Sequence, residues 1–204
     1  MTNNTKLIEG KDFEIIQGLP DCLIGDLIKN SLCLSDTDLQ TTSDRKRFNS
    51  VESINEWKKK GRTIYTLKDL KTNELLGIFW FGKKEIELKE PEANLNIDYK
   101  NYSHTFAMRL YGRLRGVGMF KELTVKILDK YINSGNYDNT GFWGESHHGG
   151  MVKVCESIGM KQVSAKKIDT SKITSNLDNP EVVFIIDDKT IKANIKEFKD
   201  LANY

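Results

Sequence analysis

A strand, a glycine-bearing loop and a helix follow one another between residues 103 and 132, and this junction constrains the fold more than any other segment. The strand covers about Ser103 to Leu110. It runs into Tyr111-Gly112-Arg113-Leu114-Arg115-Gly116-Val117-Gly118. Phe120, Leu123, Thr124, Ile127, Leu128, Tyr131 and Ile132 then recur at helical spacing until Asn133-Ser134-Gly135 stops the helix. A further strand, Thr140 to Ser146, follows. Two strands joined through a helix in one sheet lie parallel, with a right-handed crossover.

The remaining elements fit around that unit. Phe13 to Ile16 reads as a strand, and Asp21 as the cap of a helix bearing Leu23, Ile24, Leu27 and Ile28. Ser35 to Asn49 is polar and reads as a surface segment. A second helix spans Val51 to Lys60, with Val51, Ile54 and Trp57 on one stripe and Gly61 as its stop. Thr63 to Leu67 and Leu75 to Phe81 form a hairpin around Lys71-Thr72-Asn73-Glu74. Beyond Ser146 come a short helix carrying Met151, Val152, Cys155 and Ile158 before Gly159, strands near Lys161 to Ile168 and Val182 to Ile186, and a final helix with Ile191, Ile195, Phe198 and Leu201. The order predicts an α/β (α+β) domain with a mixed, mostly antiparallel sheet of six to seven strands. Helices lie on both faces, with one extra helix at the carboxy terminus.

With 204 residues and 38% hydrophobic content, one core is the expectation, so 1–204 is taken as a single domain. The 31 Lys and Arg nearly balance the 29 Asp and Glu, which argues against a phosphate-tracking nucleic-acid binder. The amino terminus lacks an apolar core, and no stretch has the length to cross a bilayer, so a cytoplasmic protein with no membrane partner is expected. Cys22, Cys33 and Cys155 are widely spaced and include no CxxC pair, which predicts neither disulfides nor a metal site.

The junction loop is where chemistry is expected. Gly116 and Gly118 remove Cβ atoms where the chain turns into a helix, allowing close approach of a ligand and positive φ. The first amides of that helix point outward at the positive end of its dipole, where a phosphate is the natural occupant. Arg113 and Arg115 add charge beside them. The loop is neither a Walker loop nor the GxGxxG fingerprint, because Met119, Phe120 and Lys121 follow.

Arg113-Leu114-Arg115-Gly116-Val117-Gly118 resembles the acyl-CoA loop of the GNAT superfamily of N-acetyltransferases, written Arg or Gln, two residues, Gly, one residue, Gly or Ala. Glu74-Leu75-Leu76-Gly77-Ile78-Phe79 resembles that family's third strand. Val154-Cys155-Glu156-Ser157-Ile158-Gly159-Met160 resembles its closing helix. The likeness covers roughly Thr63 to Ser164. It implies acetyl-CoA as co-substrate, with backbone groups of Met108 and Leu110 on the pantetheine arm and loop amides from Arg113 to Met119, including Leu114 and Val117, on the diphosphate. Pantetheine would add to the strand edge, which requires the fourth and fifth strands to splay. Residues 103–132 would then bind coenzyme, residues 140–168 would close the fold, and the helices in 21–61 would shape the acceptor side.

Direct transfer needs a base for the amine, a donor for the oxyanion and a proton for the thiolate. Glu145 is the leading base, on the expectation that a strand covered on both faces buries it and raises its pKa, the alternative being a paired or strand-end Glu exposed at the rim of the sheet. His104, His147 and His148 lie on or beside the same strands, where each is also explained as a satisfied or surface histidine. His148 occupies the place where the family often has an Asn on the coenzyme arm. Cys155 stands where the family often has the Tyr that protonates the thiolate, and a thiol is a poor donor. The expected function is acetyl transfer to a primary amine of a small molecule or peptide in a ternary complex. The alternative is a non-catalytic acyl-CoA sensor or interaction module. Assembly as monomer or homodimer is left open.

Overall fold

The computed structural model describes residues 9–34, 44–84, 97–115, 118–146, 149–163 and 182–202. Among these residues seven strands occur: β1 (Phe13–Gln17), β2 (Thr63–Asp69), β3 (Leu75–Lys83), β4 (His104–Leu110), β5 (Phe142–Ser146), β6 (Lys161–Gln162) and β7 (Val182–Ile186). The described residues hold six α-helices: α1 (Ile24–Ser31), α2 (Asp44–Arg47), α3 (Val51–Lys58), α4 (Phe120–Ile132), α5 (Gly149–Ser157) and α6 (Asp188–Ala202). The strands order as β1-β2-β3-β4-β5-β7-β6. β1 pairs antiparallel with β2, and β7 antiparallel with both β5 and β6. β4 and β5 are parallel, as a strand-helix-strand crossover requires. The mixed sheet and the extra carboxy-terminal helix match the fold class read from the sequence.

Two compact units divide the chain. The first is Met1–Trp80 with Ala107–Met119, the second Phe81–Phe106 with Phe120–Tyr204. In the first unit the core gathers Leu19, Leu23, Leu27, Ile54, Ile78 and Tyr111 with Phe48, Trp57 and Trp80. α3 forms because Ser50, in extended conformation, accepts a hydrogen bond from the Ser53 amide at 3.2 Å while Ile54 and Trp57 face the core. Leu75 to Phe81 are buried without alternation, the signature of a strand covered on both faces. Asp26 on α1 accepts the Leu75 amide at 2.9 Å and so fixes where β3 begins.

In the second unit α4 buries Leu123, Val125, Ile127, Leu128 and Tyr131. α6 turns Ile191 and Ile195 inward, its Asn194 donates to the Ile158 carbonyl at 2.9 Å, and Lys199 reaches Asp129 on α4 at 2.7 Å. The apolar stripe of the last helix is thus used within its own chain, apart from the exposed Leu201.

Three expectations require correction. Asp21 caps no helix: it opens a 3-10 turn, Asp21–Leu23, whose N-cap is Pro20. The helix read to Lys60 ends at Lys58, and Val51, at its solvent side, is exposed. Part of the polar segment 35–49 is core, since Asp44 and Phe48 are both 0% exposed. Of the strand read from Lys161 to Ile168, Lys161–Gln162 is strand, and residues 164–168 lie outside the described residues. Residues 85–92, which carry Glu85, Glu87, Glu90 and Glu92 in sequence, lie outside the described residues. Among those that are described, no helix is long and apolar enough to cross a membrane.

Candidate active site

β4 alternates, burying His104, Phe106, Met108 and Leu110 while the residues between them are half-buried. Its backbone directions follow from two bonds. The His104 amide donates toward the β5 side, to the Gly141 carbonyl at 3.3 Å, and the Tyr111 amide toward the β3 side, to the Leu76 carbonyl at 2.8 Å. With a period of two, the backbone groups of Met108 and Leu110 leave the strand on the same side as the His104 amide. The parallel ladder pairs His104 with Phe142 and Thr105 with Trp143, the first two residues of each strand. Among the described residues it extends no further along β4.

After Leu110 the chain makes a 3-10 turn, Gly112–Leu114, with Gly112 at φ 51°. Leu114 is buried, and Arg115 is exposed with extended backbone. Gly118 has φ 77° and open space where a Cβ would stand, and Met119 is buried again. Gly116 and Val117 lie outside the described residues. Arg113 departs from expectation: its Nε donates to Asp69 at 2.6 Å, and its Nη2 to the Asp12 carbonyl at 2.8 Å. Asp69, almost fully buried at the β2–β3 turn, also accepts the amides of Lys71 at 2.7 Å and Thr72 at 3.1 Å. Burial pushes this carboxyl upward, but those two amides and the guanidinium outweigh it and hold it below its ordinary range. Arg113 therefore anchors the loop to the hairpin, and a buried carboxylate that needs a counter-charge is the reason.

Beside this strand the sequence reading missed a cluster. Phe48, Trp57 and Trp80 meet edge to face, with centroids 4.9, 5.9 and 5.5 Å apart. Arg47 and Arg109 lie over Trp80 at 5.5 and 5.4 Å, and Arg62 lies over Trp57 at 5.4 Å. Asp44, fully buried, accepts from Arg109 Nε, from Arg109 Nη2 at 3.3 Å and from Arg47 Nη1 at 3.3 Å. Desolvation lowers the Arg47 pKa, with Asp44 opposing and Arg109 reinforcing that shift. An arginine inside a strand and a single aromatic in a polar stretch were the available signals.

The predicted acid and base residues fall in the second unit. Glu145 is exposed, which selects the rim reading over the buried one. Trp143 and Glu145 share a face of β5, opposite Ile185 and Val183, but the cluster of Trp143, Val163 and Ile185 covers the tryptophan and not the carboxylate. His104 is fully buried. Its Nδ1 shares a hydrogen bond with the Tyr131 hydroxyl at 2.8 Å and its Nε2 lies 2.7 Å from Asp138. Both ring nitrogens are thus engaged inside the fold. Cys155 lies in the core at 1% exposure, where burial, reinforced by Glu156, pushes its thiol up to about 12. His147 and His148 lie outside the described residues.

No protein-family profile and no curated protein sequence matches this chain. Solved structures do. Spermidine N-acetyltransferase from Vibrio cholerae, in complex with CoA and spermine, superposes with a TM-score of 0.57 over 90% of this chain and 99% of that one, at 12% identity. An Acinetobacter baylyi protein described as an acetyltransferase gives 0.55 over 88% and 94%, at 14% identity. Ribosomal-protein-S5-alanine acetyltransferase from Vibrio fischeri gives 0.52 over 89% and 96%, at 8% identity. The fold is that of the GNAT acetyltransferases. Within this GNAT fold, the segment singled out by sequence is the strand and loop of β4 and residues 111–119, whereas the Asp44 and Arg109 cluster was found only in the structure.

Proposed function

We propose that the chain transfers an acetyl group from acetyl-CoA to a primary amine of a small molecule or peptide, by direct attack within a ternary complex. The observation that carries this reading is the β4 ladder. Its pairing with β5 sits at the start of both strands, and further along β4 the backbone of Leu110 leaves the strand on the same side as the His104 amide, immediately before the glycine loop. An extended pantetheine arm would add there as a strand does, with its diphosphate on the loop from Leu114 to Met119 and with Arg115 beside it. Similarity in fold to an acetyltransferase solved with CoA and spermine supports an amine acceptor.

On this reading the chain's residues divide the work. Backbone donors of β4 near Met108 would stabilise the oxyanion. Glu145, exposed at the end of β5, would accept the amine proton, and solvent would protonate the leaving thiolate, because a buried thiol raised to about 12 is a weak acid. The burial of Cys155 also favours a second reading, a GNAT-fold protein that binds acyl-CoA without turning it over. Thiol release from acetyl-CoA across a panel of amines separates the two. Wild type should release thiol. Glu145→Gln should slow release by about tenfold with coenzyme affinity unchanged. Gly118→Val, which forces a β-branched residue to positive φ, should weaken coenzyme binding by about tenfold. Binding without release under every amine would select the second reading, and an unaltered rate in Glu145→Gln would reassign the base.

A further inference from the structure

Building on the acyl-transfer reading, we infer that Asp44 and Arg109 act as a positioning pair, which ties helix α2 to the Met108 peptide of β4 and thereby holds the backbone donors near the thioester in place. The guanidinium of Arg109 uses all three nitrogens. Nε and Nη2 are on the buried Asp44 carboxylate, and Nη1 donates to the Met108 carbonyl at 2.8 Å. A guanidinium is a rigid planar fork, so fixing two nitrogens on Asp44 fixes the direction of the third. In an extended strand the N–H and C=O of one residue point to the same side, so holding the Met108 carbonyl also holds the direction of its amide. Trp80 lies under the fork at 5.4 Å and limits its tilt.

Energetics favour a geometric role. A buried ion pair contributes little net stability, because desolvating both charges offsets their attraction, and apolar replacements of similar volume are often neutral or better. Donors to an oxyanion, by contrast, lose their effect when displaced by a few tenths of an ångström to about 1 Å. Asp44 also heads the short helix that follows the polar segment of the acceptor side, so the pair links amine-side structure to the strand proposed to carry the acyl group. Arg109 and Asp44 need not touch either substrate for this.

The test compares wild type with Asp44→Asn, Arg109→Gln, Arg109→Lys and the Asp44→Asn/Arg109→Gln double variant, in which two amides replace the charges at similar size. Thiol-release kcat, calorimetric affinity for CoA and urea midpoints are measured on each. A positioning role predicts kcat about tenfold lower in every variant, CoA affinity within about threefold of wild type, and a double variant that regains stability without regaining rate. Arg109→Lys, which keeps the charge but not the fork, should remain slow. Rates that follow the urea midpoint, or a double variant with restored kcat, would overturn the positioning role and leave the acyl-transfer reading standing. A wild type with no thiol release would remove that reading and this inference together.

Discussion

Gly141→Ala should destabilise the protein by about 3 kcal/mol or more, the steepest loss expected from so small a change. A Cβ added there would stand 2.3 Å from the Ile186 carbonyl oxygen, 2.7 Å from Tyr102 Cδ1 and 3.0 Å from Asp187 Cα. Two of these three atoms are backbone, so no rotamer change relieves the contact. The same glycine donates to the Asn101 carbonyl at 2.6 Å and accepts from the His104 amide, and the next residue pairs with Ile186. Relief therefore means moving β5 off β7 or away from the start of β4. Urea denaturation measures the loss directly, and a midpoint equal to wild type would show that the strand junction has more room than its atoms indicate.

His104→Ala should cost about 3–4 kcal/mol, from a cavity in an aromatic core together with two lost hydrogen bonds. The ring is enclosed by Tyr131, Tyr137 and Phe142 at 5.7, 4.8 and 5.7 Å. Phe81 stacks on Tyr131 at 4.1 Å, so a collapse at His104 spreads through the cluster. The partner Asp138 gives this network a pH signature. Burial raises its pKa, but donors from Lys83, His104 and Thr140 outweigh that and hold it well below the usual carboxylate range. Because the folded value is the lower one, the contribution is complete above the ordinary aspartate pKa of about 3.9 and is lost as pH falls through the folded value. Asp138→Asn should therefore cost about 1 kcal/mol at pH 7, the group being partly exposed, and the gap to wild type should begin to narrow only below about pH 4 and close as pH falls through the folded value. A gap that persists undiminished in acid would show that the carboxylate's charge is not what matters.

Local pattern made most of the frame legible. Helix α4 could be read because Leu123, Ile127, Leu128 and Tyr131 recur on one face, and all four are buried. Gly159, with φ 87°, ends the short helix as its position suggested. What local pattern does not carry is the partner a charge finds across the fold. Arg113 looked like a coenzyme contact because Gly116 and Gly118 are its neighbours in sequence, yet its guanidinium goes to Asp69, 44 residues away. Asp44 and Phe48 sit in a polar run, and only packing against Trp57, Trp80 and Arg109 makes them core. The behaviour of parallel strands allowed a buried Glu145 beside the rim reading, but among the described residues β5 pairs in parallel only at its start and lies antiparallel to β7 along its length. His104 illustrates the limit in the other direction, since a histidine beside an expected active strand is, in space, bonded to Tyr131 and Asp138.

Titration calorimetry of the purified chain with CoA and with acetyl-CoA tests the central claim most directly. Saturable one-to-one binding in the micromolar range, weakened about tenfold by Gly118→Val and unchanged by Glu145→Gln, is the predicted result. Absence of heat with either coenzyme at millimolar concentration would contradict it.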